Sequence, residues 1–299
     1  MKVRFILIAI FSYLVIPIGS LNAQDDLDDM LDDMEEEETI YTIATFKGSR
    51  IINLHTIESV AKNQLEFRIS HRFGALEGGA YELFGLDQST IRIGLEYGIT
   101  DYLTVGWGRS TYQKTNDGFL KLRILRQSKG KKIMPVSLVY LSGVSVNGLR
   151  WENPDRENFF TSRLSYAHQL IIARKFNKRL SFQVSPTLIH RNLVETINDQ
   201  NTSLAIGTGG RIKLNGSLAL TAEYVYRIPP AVISDSYAIT TNSFSLGLEI
   251  ETGGHVFQLQ FTNSLAMFEN GFIMQTNEEW KNIGIHFGFN ISREFALKH

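Results

Sequence analysis

From residue 64 onward, hydrophobic and polar residues alternate along the chain. In the first such segment, Leu65, Phe67 and Ile69 are separated by single polar residues. Side chains with this period point to opposite faces of a β-strand, so the pattern predicts strands rather than helices. The same period recurs in further segments, most of about ten residues, the length that a tilted strand needs to cross a bilayer. These segments are 91–99, 103–110, 118–126, 136–146, 160–174, 180–191, 203–214, 217–228, 243–251, 256–262 and 282–292.

The gaps between the predicted strands mostly alternate between long and short. Residues 147–159 and 229–242 form long gaps, whereas residues 215–216 form a two-residue connection. The gaps at 111–117 and 127–135 are similar in length and interrupt this rhythm. Outer-membrane barrels have short periplasmic turns and long extracellular loops, so the rhythm predicts an all-β fold, a single antiparallel up-and-down transmembrane β-barrel of about 12 strands. An even number of strands would place both termini in the periplasm.

The charged residues indicate which face of these strands meets lipid. An arginine or lysine near the bilayer midplane of a barrel costs about 2–4 kcal/mol, so we expect the apolar face to meet lipid and the charged face to line the lumen. An excess of basic residues there predicts a positive lumen, which favours small anions where water passes. The alternative is that these side chains pair with one another and fill a closed barrel. The predicted lumen-lining residues are the basic Arg68, Arg72, Arg92, Lys121, Arg123, Arg163, Arg191, Arg211, Lys213 and Arg227 and the acidic Glu66, Glu96, Glu223 and Glu249.

The chain begins with a segment typical of exported proteins. Residues 1–23 combine two basic residues, an apolar run and a small-residue pattern that ends at Ala23, which indicates a signal peptide. After it, no apolar run exceeds four residues, which excludes a second transmembrane helix. Strands in lipid must close into a barrel, because an open sheet edge finds no hydrogen-bond partner there. We therefore expect an outer-membrane protein.

An acidic leader follows the predicted signal peptide. Residues 24–38 contain ten acidic residues and no basic one, although the whole chain has a net charge of only -1. Such a charge block predicts a disordered, solvated segment. A second interpretation is a short amphipathic helix that docks on a basic surface, including this protein's own, or on an envelope protein partner. Its apolar face would consist of Leu27, Met30, Leu31 and Met34.

Residues 39–63 are the least periodic part of the remaining chain. They are predicted to form a plug in the lumen, a periplasmic cover or a short extra strand, with the barrel proper at residues 64–299. A plug would account for glycines at inward-facing strand positions such as Gly207, Gly209 and Gly247, because glycine lets an internal segment approach closely.

The sequence offers no residue set for catalysis or metal binding. There is no cysteine and no Gly-x-Ser-x-Gly motif, and the seven histidines lack the spacing of a zinc site. We therefore predict that the protein is not an enzyme and needs no cofactor or metal. The expected partners are outer-membrane lipid and a small anionic solute, with no nucleic acid.

Several short motifs resemble a known family. They are Thr45-Phe46-Lys47-Gly48-Ser49-Arg50, His71-Arg72-Phe73-Gly74, Phe84-Gly85-Leu86-Asp87, Leu95-Glu96-Tyr97-Gly98-Ile99-Thr100 and Asp117-Gly118-Phe119-Leu120-Lys121. In these motifs the chain resembles an outer-membrane β-barrel family of unknown function from Bacteroidetes-type bacteria, which implies a location and a fold but no activity. We predict a narrow porin-like channel or transporter for small anionic solutes. The alternative is a closed barrel that anchors or scaffolds an envelope protein complex.

Overall fold

The computed structural model describes residues 38–297. The predicted signal peptide (1–23) and all of the acidic leader except Glu38 lie outside the described residues. Twelve strands close into one barrel, in which every neighbouring pair is antiparallel and the last strand pairs with the first. The predicted antiparallel up-and-down barrel is therefore confirmed.

Two short strands accompany the barrel and pair with each other, β1 (Thr39–Tyr41) and β6 (Ser128–Gly130). Two short helices, α1 (Asp235–Ala238) and α2 (Glu269–Met274), lie in connections between strands. The barrel strands are β2 (Gln64–Ala75), β3 (Ser89–Gly98), β4 (Leu103–Ser110), β5 (Asn116–Leu125), β7 (Ser137–Val146), β8 (Leu164–Lys175), β9 (Leu180–Arg191), β10 (Thr202–Lys213), β11 (Leu218–Arg227), β12 (Ser243–Thr252), β13 (His255–Thr262) and β14 (His286–Ala296).

The wall turns its apolar side chains outward, as the alternating pattern predicts. On β3, Ile93 is 44% exposed, whereas its neighbour Arg92 is 2% exposed. On β5, Leu120 is exposed and Lys121 is fully buried. Exposed apolar rows around a closed barrel are what a lipid environment requires. Among the described residues, no helix is long and apolar enough to span a membrane.

The two ends of the barrel differ in their connections. One end, called here the short-turn end, has connections at 99–102, 176–179, 214–217 and 253–254. The other, the long-loop end, has connections at 76–88, 147–163, 192–201, 228–242 and 263–285. Two connections depart from this division: residues 126–136 form a longer connection at the short-turn end, and residues 111–115 form a short one at the long-loop end.

Two predicted strands have different bounds in the structure. The predicted strand 160–174 begins only at Leu164, because Phe160–Arg163 forms a 3-10 turn. The predicted strand 282–292 is displaced to His286–Ala296. Here Trp280–Asn282 forms another 3-10 turn, and Ile283 has a left-handed φ of 61° that a strand does not adopt.

Candidate functional site

The lumen of the barrel is occupied by the segment before β2. Phe46, Ile51, Ile52 and Leu54 are all buried although they belong to no barrel strand. Wall side chains from β2, β5, β9, β11, β13 and β14 all contact this segment, so the wall surrounds it. We call residues 46–60 the plug.

The plug is a tight hairpin. The amide of Ile51 donates to the carbonyl of Leu54 at 2.9 Å, and the amide of Thr56 donates to the carbonyl of Ser49 at 2.9 Å. These bonds satisfy backbone groups that water does not reach. They also turn the chain at its tip, so that consecutive amides there point outward to the wall.

The carboxylate of Glu223, on β11, holds the tip of the plug. It accepts hydrogen bonds from the amides of Ile52, Asn53 and Leu54 at distances of 2.9–3.2 Å. The hydroxyl of Ser245 donates to the same carboxylate at 3.2 Å. Successive backbone amides that converge on one anion form a strong, directional site, because each hydrogen bond has a charged acceptor. Glu223 therefore acts as a latch for the plug.

Amide side chains of the wall hold the plug from two further sides. Gln258, on β13, donates to the carbonyl of Ile51 at 2.7 Å. Gln183, on β9, donates to the carbonyl of His55 at 2.7 Å. The wall thus supplies donors for plug carbonyls that the hairpin leaves free.

The remaining side of the plug packs on apolar wall residues. Phe46 and Ile57 belong to one buried cluster with Val139, Leu141 and Ile171. The alternation predicts charged or polar side chains on the inner face, but at Val139, Leu141 and Ile171 the inner face of β7 and β8 is apolar. At these positions both faces of the strands are apolar, because one face meets lipid and the other meets the apolar side of the plug. Elsewhere the inner face is polar, at Ser145, Ser165 and Gln169.

Wall glycines make the space for the plug. A Cβ atom on Gly209 would lie 2.2 Å from the Cδ1 atom of Ile51, and one on Gly207 would lie 2.9 Å from a Cδ atom of Leu54. A Cβ atom on Gly98 would lie 2.5 Å from the carbonyl oxygen of Val60, the last residue of the plug. Any other residue at these positions would displace the plug or the wall.

A loop closes the lumen from the opposite end. In the connection 263–285, α2 and its flanking residues are buried, and Phe272 lies in one cluster with Leu54 of the plug. Glu269 on α2 lies 3.2 Å from Nη1 of Arg50 and 3.2 Å from Nε2 of His55. The plug and the loop therefore meet inside the barrel and occlude it together.

The predicted lumen residues fall into three groups. The prediction that Arg163 lines the lumen is wrong. Arg163 lies in the turn before β8 rather than in a strand, where it donates to the carbonyl of Asn147 at 2.8 Å and stacks on the ring of Trp151. The half-buried Arg123, Arg191 and Lys213 lie near strand ends, at the mouths of the barrel. The buried residues are Arg68, Arg72, Arg92, Lys121, Arg211 and Arg227 and the acidic Glu66, Glu96, Glu223 and Glu249.

Carboxylates neutralise much of this buried positive charge. Arg68 pairs with Glu66 at 2.8 Å, and Arg211 pairs with Glu249 at 2.7 Å. Arg92 pairs with Asp117, which is not among the predicted lumen residues. Extending the alternation of β5 by one step toward its start would have placed Asp117 on the inner face beside Phe119 and Lys121.

Arg50 and Glu269 were also missed, and no periodic signal marks them. Arg50 lies in the plug and Glu269 in a loop, so neither position follows from strand alternation. Their ion pair has both partners buried. The pair adds one positive and one negative charge, so it leaves the net charge of the lumen unchanged, and it is Asp117 that lowers the predicted positive excess.

A cavity of about 210 Å³ opens at the long-loop end above α2. Arg191, Arg227 and Tyr112 line it, together with Asp199. Arg227 donates to the hydroxyl of Thr240 at 2.5 Å. Within residues 38–297, no group of His, Asp or Glu side chains is arranged to hold a metal ion.

Asp199 organises the loops around this cavity. Burial would raise the pKa of Asp199, but hydrogen bonds from Ser234, Ser236 and Thr196 outweigh burial and lower this pKa to about 2. The ionised carboxylate joins the loop 192–201 to the start of α1.

Several solved outer-membrane proteins have similar barrels. The NanC porin aligns with a TM-score of 0.49 and 9% identity over 78% of this chain and 100% of its own. An outer membrane channel from Pseudomonas putida F1 aligns with a TM-score of 0.49 and 12% identity over 80% of this chain and 97% of its own. The KdgM porin aligns with a TM-score of 0.45 and 6% identity over 79% of this chain and 99% of its own. At identities and TM-scores this low, the activities of those channels say nothing about the activity of this chain.

Family membership is clearer. No curated protein matches the sequence significantly. A family model described as a membrane bound beta barrel domain matches residues 46–295, from the plug to the last barrel strand. An apolar exterior and an even number of strands are typical of bacterial outer-membrane barrels, and the protein is an outer-membrane protein. The resemblance seen in the short motifs is thus confirmed, and the chain belongs to the family of membrane bound beta barrel domains DUF5777.

Proposed function

We propose that the protein is a channel for small solutes whose resting state is closed by the plug. The observation that supports this most is that the wall does not fill its own lumen. Gly98, Gly207 and Gly209 leave space that only the plug occupies. A barrel that serves only as an anchor can fill its interior with its own long side chains. The plug also supplies the partners that hold the loop 263–285 inside the barrel, Arg50 and His55 for Glu269 and Leu54 for Phe272, so withdrawal of the plug would free this loop as well and open a passage.

The contacts of the plug also suit a segment that moves. Its tip and carbonyls are held by Glu223, Gln258 and Gln183, all of which can hydrogen-bond to water once the plug leaves. Opening a purely apolar interface would expose hydrophobic surface to water, at a free-energy cost of about 25 cal/mol per Å². That cost is confined to the sector around β7 and β8 and to the buried cluster around Leu54.

Small anionic solutes are the proposed cargo. Without the plug, the buried residues of the lumen would balance in charge: Arg68, Arg72, Arg92, Lys121, Arg211 and Arg227 against Glu66, Glu96, Asp117, Glu223, Glu249 and the loop residue Glu269. The half-buried Arg123, Arg191 and Lys213 add positive charge near the two mouths. Fixed positive charge along a pore raises the local anion concentration. We also propose that the short-turn end, with both termini, faces the periplasm.

Planar-bilayer recording tests this proposal. The mature chain and a variant lacking residues 24–61 would be compared after each is shown to shift in gel mobility on heating, the behaviour of a folded barrel. We expect the mature chain to be closed most of the time and the variant to conduct steadily. Under a KCl gradient, the reversal potential of the variant should show anion preference. A folded variant without conductance would refute the channel and favour the closed anchoring barrel instead.

A further inference from the structure

The acidic leader ends on a basic surface of this same barrel. β1 pairs with β6, and the carbonyl of Glu38 accepts a hydrogen bond from the amide of Lys131 at 3.3 Å. The guanidinium of Arg126 lies 4.3 Å from the centre of the Tyr41 ring. These contacts fix the last residue of the leader on the connection 126–136, called here the basic connection.

The basic connection combines positive charge with exposed apolar surface. Lys129, Lys131 and Lys132 are exposed, and Ile133 beside them is 77% exposed. A large exposed apolar side chain among lysines is a feature of contact surfaces rather than of solvated turns.

The turns on either side of the basic connection differ in charge. The turn 176–179 contains Lys178 and Arg179, both exposed. The turn 99–102 contains the exposed Asp101 and no basic residue. The positive surface therefore extends in one direction around the short-turn end, toward β8 and β9.

The leader matches this surface in both respects. It has ten acidic residues among residues 24–38, and its apolar residues Leu27, Met30, Leu31 and Met34 fall on one side if it is helical. We propose that the acidic leader docks on the basic connection of its own chain, with its carboxylates on the lysines and its apolar residues on Ile133.

The leader of the same chain has an advantage over any other acidic partner. Because β1 already holds its last residue on the surface, docking is intramolecular, at an effective concentration of about millimolar. A second chain or an envelope protein would first lose translational and rotational freedom. Docking would also fix the base of the plug, since only residues 42–45 separate β1 from it. The leader would dock in the same way on a channel and on a closed anchoring barrel.

Cysteine cross-linking tests the docking on the mature full-length chain. The sequence has no cysteine, so two introduced thiols are the only ones present. Leu31→Cys would be combined with Ile133→Cys, and in a matched control with Asp101→Cys on the neighbouring turn. Each variant would first be shown to have the heat-dependent gel mobility of the parent. With a short bismaleimide at low salt, we expect the first pair to cross-link within one chain at least tenfold faster than the control pair.

Charge provides the second criterion. High salt, or Lys129→Glu combined with Lys131→Glu and Lys132→Glu, should bring the two rates to within about twofold of each other, because screening or reversal removes the attraction. Equal rates for the two pairs at low salt would overturn the proposal. Cross-linking rates that do not change with salt or with charge reversal would also overturn it. A product found only between two chains would overturn it as well, because it would identify a second copy as the occupant.

Discussion

The latch at the plug tip gives the sharpest test of gating. In Glu223→Gln, the side-chain oxygen can occupy the position of Oε2, so the backbone amides keep an acceptor, but this acceptor is no longer charged. Oε2 of Glu223 accepts from the amides of Ile52, Asn53 and Leu54 at 3.2, 3.0 and 3.0 Å. Of these donors, only Asn53 has a second bond, to Oε1 at 2.9 Å. The substitution therefore removes the negative charge from the acceptor of all three amides, together with the second bond of Asn53.

The size of the effect follows from these bonds. A hydrogen bond to a charged acceptor contributes about 1.5–3 kcal/mol and one to a neutral acceptor about 0.5–1.5 kcal/mol, so the three bonds together lose about 3–4.5 kcal/mol. Part of this is recovered, because a neutral amide is less costly to bury than a carboxylate. We take a net loss of about 3 kcal/mol from the closed state, which raises the ratio of open to closed barrels about 100-fold.

Single-channel recording measures this ratio directly as open time over closed time. Glu249→Gln is the matched control, because Glu249 is also a buried lumen carboxylate but pairs with Arg211 of the wall rather than with plug amides. We expect the control to stay within about threefold of the parent. If Glu223→Gln opens no more often than the parent, or if both variants open equally often, Glu223 does not hold the plug in the closed state.

Three further predictions follow from other contacts. Gly209→Leu should raise the open fraction about tenfold or more in the same recordings, because even a Cβ there would lie 2.2 Å from Ile51. Arg92→Ala should lower the temperature of the heat-dependent gel shift, because it leaves Asp117 buried without its cation, at a cost of about 3–5 kcal/mol. Because the pKa of Asp199 is about 2 in the folded loops against an ordinary 3.8, its stabilisation is present above pH 3.8 and lost as pH falls through about 2. Pepsin should therefore cut residues 192–201 increasingly across that window.

Each of these predictions has a control. Gly216→Ala should leave gating unchanged, because nothing lies within 4 Å of its added Cβ. Lys281→Ala removes an exposed ion pair and should change the gel-shift temperature little, so an equal effect of Arg92→Ala would contradict the assigned cost. In Asp199→Asn, cleavage should lose its dependence on pH within that window, and a retained dependence would assign the transition to another group.

The orientation of the wall side chains was predictable from the sequence, because the side of a barrel that faces lipid must be apolar. Alternation around Ile93 and Leu120 placed Arg92 and Lys121 inside, and the structure buries both. Alternation does not distinguish the two faces of a strand where the inner face is also apolar. Val139 and Ile171 face the plug, so their strands carry hydrophobic residues on both sides and parity no longer identifies the lumen.

The contents of the lumen were less predictable. The plug is held by side chains from strands far apart in sequence, such as Glu66, Glu223 and Asn290, so no local period encodes its path. Inward glycines gave the only hint. The loop residue Glu269 meets Arg50 across most of the chain, and a single sequence holds no signal for such a pair.

The seam between β2 and β14 has a consequence for biogenesis. These strands stand at opposite ends of the barrel sequence, so their pairing is the most non-local event in folding and is expected to be slow. The plug is joined directly to one edge of that seam, ahead of β2. Until β14 pairs with β2, the free edge of β2 lies next to the plug, which the barrel must enclose. Machinery that inserts this protein into the membrane therefore has to shield an unpaired edge and its attached hairpin together.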